Sequence, residues 1–239
     1  MQRLTAIYRL TDYLYSSNNA MFCGQIISSD ILPLTLQDTV GEALRVMQEK
    51  QINHLPVVEG EKYLGMISED DLLDEEPDVK LLDIVENLDG SAVKSADYFL
   101  VAVKLSYLFQ LDVVPVANDK QEFEGLITKD TLFRHLAKST GSEEYGSLLV
   151  LEMEKKDYSP GLFNRLVESN DAIITQLNSW SDPSSSLMTV VIRINKEEVS
   201  DVVASFQRHD FTVRYYLGEE LFRNELQSNL NHLMNYLNM

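Results

Sequence analysis

The sequence contains few of the residues that would indicate a disulfide scaffold, a zinc site or a nucleic-acid surface. Cysteine occurs once, at Cys23, so no internal disulfide can form and a reducing compartment is expected. The four histidines are scattered without a C-x-x-C or H-x-x-x-H spacing, so we predict no metal site. Lys and Arg number 20 against 38 Asp and Glu, giving a net charge of −18. Such a chain is not expected to bind nucleic acid or an anionic membrane.

Long hydrophobic runs are also missing. No run approaches the ~20 residues that cross a bilayer, and the N-terminal stretch is interrupted by Arg3, Arg9 and Asp12, unlike a signal peptide. We therefore expect a cytoplasmic protein. Residues 1–20 are expected to be an N-terminal extension, with Met21 as a candidate for the biological start. The absence of a nucleophile elbow, a P-loop and a metal cluster predicts that the protein is not an enzyme.

The chain does contain a repeat of about sixty residues. GMISEDDL at 65–72 nearly recurs as GLITKDTL at 125–132, and HLPVV and VVPVA precede the two motifs. Periodicity predicts the order helix, strand, strand, helix in both copies. A unit of this kind exposes one apolar sheet face, so the two copies are expected to pack on each other. The predicted elements are 38–50, 55–58, 63–67 and a helix opening at Ser68 in copy one, and 98–109, 113–117, 124–127 and 128–138 in copy two.

These motifs, together with the lead-in GQIISSDILPLTLQDTVGEAL, resemble a tandem cystathionine-β-synthase (CBS) domain pair over roughly residues 24–138. The resemblance implies a first repeat over 21–79 and a second over 80–139. It also implies two clefts between the repeats, in which a Ser or Thr and an Asp three residues later bind the ribose of an adenine nucleotide. The ligand would be AMP, ADP, ATP or S-adenosylmethionine, acting as a regulator and not as a catalytic cofactor.

The predicted ligand-binding residues follow from that resemblance, position by position. Ser68 and Asp71 match the ribose-binding pair in copy one, and Thr128 matches the hydroxyl in copy two. The base would lie against the strand that precedes each motif. The predicted set is therefore Ser68, Asp71, His54, Pro56, Thr128, Lys129 and Pro115, with Lys129 as a phosphate contact.

Other interpretations of these residues stay open. Ser68 and Asp71 also fit a helix capping box, and Lys129 fits a solvated helix face. The acidic run 69–78 fits a solvated linker better than a divalent-ion site. Copy two has Thr131 where copy one has Asp71, and a neutral hydroxyl forms a weaker hydrogen bond than a carboxylate. We therefore predict one better site around Asp71 and one weak or empty cleft.

The last hundred residues follow a different pattern. Strands over 147–157, 172–182, 187–195 and 211–217 and helices over 161–170 and 196–209 give the order βαββαβ, which is ferredoxin-like. With DYSPGL at 157–162, residues 146–218 resemble an ACT domain, which implies an amino-acid site at Asp157 and Gly161. Alternatively, Pro160 and Gly161 simply begin the helix.

Residues 219–239 predict a C-terminal amphipathic helix that docks on its own chain or on a second subunit. Its asparagines are expected to face solvent. The apolar stripe consists of Leu221, Leu226, Leu230, Leu233, Met234 and Leu237.

The predicted fold class is therefore α+β: tandem CBS repeats forming a CBS pair, then a ferredoxin-like ACT-type domain and a C-terminal helix. This combination resembles the acetoin-utilisation regulatory proteins. It implies a non-catalytic sensor of an adenine nucleotide, with a homodimer as the default assembly. Two alternatives stay open: a structural dimerisation or assembly module with vestigial clefts, or amino-acid sensing through the ACT-like domain.

Overall fold

The computed structural model describes residues 22–218 apart from positions 29, 86, 87, 143 and 182. The predicted N-terminal extension 1–20 and C-terminal helix 219–239 lie outside the described residues. The chain divides into two compact units, Met1–Ala137 and Lys138–Met239. No helix within the described residues is long and apolar enough to span a membrane.

The first unit contains two copies of one helix-and-hairpin arrangement, as the repeat predicts. The first copy consists of β1 (Leu34–Thr35), α1 (Val40–Lys50), β2 (His54–Glu59), β3 (Lys62–Ser68) and the short helix α2 (Leu81–Ile84). The second copy consists of α3 (Phe99–Phe109), β4 (Val113–Ala117), β5 (Phe123–Thr128) and α4 (Lys129–Ser139). A single 3₁₀ turn, Cys23–Gln25, precedes both copies. The predicted strands and three of the four predicted helices are confirmed.

The prediction of a fourth helix, beginning at Ser68, is wrong. Residues 69–75 form consecutive turns, closed by hydrogen bonds from Leu72 N to Glu69 O (2.9 Å) and from Glu75 N to Leu72 O (3.2 Å). Two physical reasons favour turns. The acidic side chains of this run repel one another at helical spacing, and Pro77 disfavours the helical conformation of the residue before it.

Local signals begin and end the helices at matching places in the two copies. The Thr39 hydroxyl accepts from Glu42 N (3.3 Å), and Glu42 Oε2 accepts from Thr39 N (2.9 Å), a complete capping box at the start of α1. Both α1 and α3 end at a glutamine in the left-handed conformation, Gln51 with φ 56° and Gln110 with φ 54°. The backbone therefore preserves the repeat beyond the motifs that reveal it.

The segments that precede the two copies cross over. Ser28, upstream of copy one, bridges Leu126 in β5 of copy two, whereas Asp89, upstream of copy two, bridges Met66 in β3 of copy one. Cys23 is accordingly buried in the core that copy two forms. Each hairpin is completed by the chain that leads into the other copy, which ties the two copies into one unit.

The two hairpins also meet along their edges with reciprocal hydrogen bonds. Tyr63 N donates to Gln121 O (2.7 Å) and Phe123 N donates to Glu61 O (2.7 Å). The rings of Tyr63 and Phe123 stack with their centroids 6.2 Å apart. Because each bond has a counterpart in the other copy, the copies are related by a pseudo-two-fold axis.

The second unit is a ferredoxin-like βαββαβ fold, as predicted. Its elements are β6 (Ser147–Glu154), α5 (Pro160–Glu168), β7 (Ile174–Ser181), β8 (Leu187–Ile194), α6 (Ser200–Arg208) and β9 (Thr212–Leu217), with a 3₁₀ turn at Lys155–Asp157. The strands form one antiparallel sheet in the order β7-β8-β6-β9. Helices α5 and α6 pack on one face of this sheet. The core between them includes Leu149, Leu151, Phe163, Val190, Ile192 and Phe206.

Candidate functional site

Ser68 and Asp71 form a reciprocal hydrogen-bonded box where β3 ends. Asp71 Oδ2 accepts from Ser68 N (2.9 Å) and from Ser68 Oγ (2.6 Å), and Asp71 N donates to Ser68 Oγ (3.3 Å). The box closes a turn and does not cap a regular helix, because residues 69–75 are turns. Both accepted bonds end on Oδ2, and the Asp71 side chain is exposed. The carboxylate is therefore held in position yet open to a ligand.

A cavity of about 450 Å³ lies beside this box, a size that suits a nucleoside. Five of its seven lining residues are apolar, and they belong to β3, to the end of α2 and to the segment that follows α2. Two carboxylates, Asp71 and Asp89, also face it, and none of the described residues that line it is cationic. The lining consists of Met66, Ile67, Asp71, Ile84, Val85, Leu88 and Asp89.

The pairing of β2 with β3 brings His54 directly opposite Ser68. His54 Nδ1 is buried, has no hydrogen-bond partner among the described residues, and lies 3.8 Å from Asp112 Oδ2. Pro56 is buried opposite Met66, a wall of the cavity, and Pro115 is buried opposite Leu126. The structure thus gathers the predicted residues of copy one at a single end of the hairpin.

Asp112 is a functional candidate that the sequence reasoning missed. Its Oδ2 accepts from Asn53 N (2.9 Å), and its Oδ1 lies 4.0 Å from Lys129 Nζ. Asp112 therefore links His54 of copy one with the predicted phosphate contact Lys129 of copy two. One sequence signal was available, since Asn53 and Asp112 occupy matching positions in the repeat.

The motif of copy two forms a neutral version of the same box. Thr128 Oγ1 donates to Thr131 Oγ1 (2.9 Å), and Thr131 N donates to Thr128 Oγ1 (3.2 Å). Here a regular helix, α4, follows at once. Asp130 forms an ion pair with Arg134 on the exposed side of α4. No carboxylate therefore stands at the Asp71 position of this copy.

In the second unit, Asp157 and Gly161 are placed differently from each other. Asp157 lines a cavity of about 520 Å³, together with Glu154, His209 and Asp210. Gly161 is exposed in the first turn of α5, does not line this cavity, and has no neighbouring atom within 4 Å of an added Cβ. Pro160 opens α5. The amino-acid site predicted at these two residues stays a prediction.

Helices α3 and α4 present an exposed apolar surface, here called the α3–α4 face, which the sequence reasoning also missed. The matching helix α1 exposes Glu42, Arg45, Gln48 and Glu49 instead. A comparison of VGEALRVMQEK with FLVAVKLSYLF reveals this difference at once. The face consists of Leu100, Val101, Tyr107, Leu108, Phe109 and Phe133, and a groove of about 330 Å³ runs between the helices.

Comparison with known families identifies the first copy of the repeat. Residues 23–78 match the family model described as CBS domain. Residues 23–78 therefore contain a CBS domain, which spans the first copy of the repeat. The second copy repeats its helix-and-hairpin arrangement about a pseudo-two-fold axis, and a ferredoxin-like unit follows.

The chain is also similar to parts of two larger enzymes and to one solved structure. It is 30% identical to inosine-5′-monophosphate dehydrogenase of Methanocaldococcus jannaschii over 53% of this chain and 26% of that protein. It is 33% identical to homoserine O-acetyltransferase of Methanobrevibacter ruminantium over 48% of this chain and 24% of that protein. The chain therefore spans about a quarter of the length of these relatives. A CBS domain pair/ACT domain protein from Thermotoga maritima superposes with a TM-score of 0.46 and 22% identity, covering 50% of this chain and 98% of that one.

Proposed function

We propose that this chain is a non-catalytic regulatory protein that binds one adenosine compound in the cavity beside Ser68 and Asp71. The observation that carries the proposal is the box itself, which holds an exposed carboxylate at a cavity whose other lining residues are mostly apolar. A carboxylate that accepts from both hydroxyls of a ribose is an established recognition device. The apolar side chains of the lining, such as Met66 and Leu88, suit the flat face of a purine.

The negative charge of the cavity predicts different affinities for the four ligands. Asp71 and Asp89 both face it, and two unit charges at 4 Å interact by roughly 4 kcal/mol near a protein surface. A triphosphate is therefore repelled most, whereas the sulfonium of S-adenosylmethionine is attracted. We infer the order of affinity S-adenosylmethionine, AMP, ADP, ATP. The neutral Thr128–Thr131 box of copy two supports a single site per chain.

Calorimetric titration of the full chain with each of the four compounds tests this proposal. We expect saturable binding in the micromolar range, strongest for S-adenosylmethionine. Replacement of the carboxylate in Asp71→Ala should weaken binding about tenfold, equivalent to ~1.4 kcal/mol, which is typical of one lost charged hydrogen bond. Thr131→Ala is the matched control at the same position of copy two and should leave the dissociation constant unchanged.

Two results would contradict the proposal. If none of the four compounds binds, the cavity is not an adenosine site. If Asp71→Ala lowers the melting temperature while the affinity of the wild type is retained, the box acts only by closing the turn after β3.

A second candidate function, assembly of a homodimer, is favoured by the α3–α4 face. Tyr107 is 74% exposed and Phe133 is 68% exposed, and both line the groove between the helices. Large exposed apolar side chains that lie together mark an interaction surface. A second copy is the fitting partner, because a two-fold interface pairs one patch with itself. The exposed parts of Tyr107, Phe109 and Phe133 alone offer on the order of 350 Å² per copy, against about 800 Å² per partner in a standard interface.

Sedimentation of the full chain and of Tyr107→Glu tests the dimer. The wild type should sediment as a dimer, and a charge buried in the interface should shift Tyr107→Glu to a monomer. Gln48→Glu introduces the same residue at the matching position of α1 and should remain dimeric. A monomeric wild type, or a Tyr107→Glu protein that stays dimeric, would remove this face from consideration.

A further inference from the structure

The sheet of the second unit has an apolar character on both of its faces. Its two central strands contain uninterrupted apolar runs, Leu148–Leu151 in β6 and Val190–Ile192 in β8. Strands with one solvated face alternate between apolar and polar residues, whereas strands covered on both faces read as continuous apolar runs. Among the described residues of this unit, α5 and α6 cover one face. The composition of the central strands therefore indicates that the other face of the sheet is covered as well.

Strand register defines this second face, here called the open face. Val150 stands opposite both Val191 and Tyr215, and Leu148 stands opposite Leu217. Trp180 of β7 stands opposite Thr189 and is 56% exposed, and Tyr215 is 53% exposed. The apolar members of the open face are Leu148, Val150, Trp180, Val191, Tyr215 and Leu217.

We propose that segment 219–239 of the same chain lies across the open face. Strand β9 ends at Leu217, which is itself a member of that face, so the segment leaves the sheet at its border. The sequence places Leu226, Leu230, Leu233 and Leu237 at spacings of four, three and four, which form one helical stripe. A helix of this length extends about 30 Å, comparable with the ~26 Å of an eight-residue strand.

The short connection between β9 and segment 219–239 favours this segment, and not a second copy of the chain, as the cover of the open face. A segment tethered directly to β9 is presented to the open face at an effective concentration in the millimolar range, which an intermolecular partner does not reach at ordinary protein concentrations. A second observation points the same way. Arg193, opposite Leu148, donates from its terminal nitrogen to Glu144 O, but its buried Nε has no partner among the described residues. Glu and Asn side chains of the segment are suitable acceptors.

Trp180 is the only tryptophan of the chain and lies on the open face, so its fluorescence reports on the cover directly. We expect acrylamide to quench the full-length native chain at most half as effectively as the same chain unfolded in urea. Leu230→Asp combined with Leu233→Asp places two charges on the stripe. This double variant should raise the quenching constant about twofold, because loss of the cover opens the indole to the quencher. Asn231→Asp with Asn235→Asp adds the same charge off the stripe and should change nothing.

Three results would overturn the proposal. The first is a native wild type quenched as readily as the unfolded chain, a measurement that does not depend on how the variants fold. The second is equal quenching in the leucine and asparagine variants. The third is protection that disappears on dilution, since an intramolecular cover is independent of protein concentration and a second copy is not.

Discussion

Alanine at Gly65 tests whether the segment leading into copy two packs on β3 and shapes the cavity. Gly65 has a φ of 152°, and a Cβ there would lie 2.4 Å from Leu88 Cβ and 2.8 Å from Asp89 O. Gly60 provides the control, because it also has a positive φ, 61°, but no atom within 4 Å of an added Cβ. Both substitutions place a side chain at a positive φ, and only Gly65→Ala adds a collision.

The magnitude follows from those two terms. A side chain in a glycine-only backbone region costs about 1–3 kcal/mol, and overpacking costs about 1–3 kcal/mol. Gly65→Ala should therefore lower the free energy of unfolding by about 2–6 kcal/mol, against about 1–2 kcal/mol for Gly60→Ala. Urea unfolding followed by far-UV circular dichroism measures both, provided the slope with denaturant is unchanged.

Gly125, the matching glycine of copy two, separates stability from ligand binding. Its φ is 146°, and a Cβ would lie 2.3 Å from Ile27 Cγ2, so Gly125→Ala should destabilise the protein comparably. Leu88 and Asp89 line the cavity whereas Ile27 does not, so only Gly65→Ala should also weaken binding of the adenosine compound. A Gly65→Ala protein as stable as Gly60→Ala would refute the close approach on which this reasoning depends.

Further predictions concern one cysteine, two hydrogen-bonding side chains and the second unit. Burial, with a smaller contribution from Asp97, raises the pKa of the Cys23 thiol from 9.0 to about 11. The folded state therefore binds the thiol proton more tightly than the unfolded state. This contribution to stability is complete below pH 9 and is lost toward pH 11. Between pH 9 and 11, the urea midpoint of Cys23→Ala should therefore fall less than that of the wild type. Asp112→Ala leaves Asn53 N without its acceptor and should cost about 1–3 kcal/mol, which Asp112→Asn largely restores in the same assay. Ser147 is 1% exposed and donates to Lys196 O (2.6 Å) and Glu197 O (2.7 Å), so Ser147→Ala should cost a similar amount. If the second unit binds an amino acid at Asp157, a thermal-shift screen should show stabilisation that Asp157→Ala abolishes.

The parts of the fold that were predictable from the sequence are those that local interactions determine. Helical periodicity located the start of α1 within two residues, and the β-prone runs located the hairpins. The order βαββαβ followed in the same way from apolar, β-prone runs and helical periodicity. In each case the information lies within about ten residues of the element it specifies.

The parts that were missed depend on residues far apart in the chain. The crossing of the lead-in segments rests on bridges such as Ser28 with Leu126, which no local pattern encodes. Asp112 gains its importance from Asn53, His54 and Lys129, which the fold brings to it. The wrong helix after Ser68 is the instructive exception, since its cause was local: the box was correctly recognised, but charge repulsion and Pro77 outweigh it.

The two copies keep matching backbones but differ in side chains at two kinds of position. Asp71 of the first copy corresponds to Thr131 of the second, and Gln48 of α1 corresponds to Tyr107 of α3. A pseudo-two-fold unit creates two clefts and two helical faces, and here the charged cleft belongs to one copy and the apolar face to the other.

On the proposed functions, ligand binding and dimer formation therefore use different copies. If the two functions are uncoupled, Asp71→Ala should leave dimer formation intact and Tyr107→Glu should leave ligand binding intact. If they are coupled, linkage requires that the ligand strengthen the dimer by the same factor by which the dimer strengthens ligand binding. Titrations above and below the dimer dissociation constant measure that factor directly, and a regulatory role requires that it differ from one.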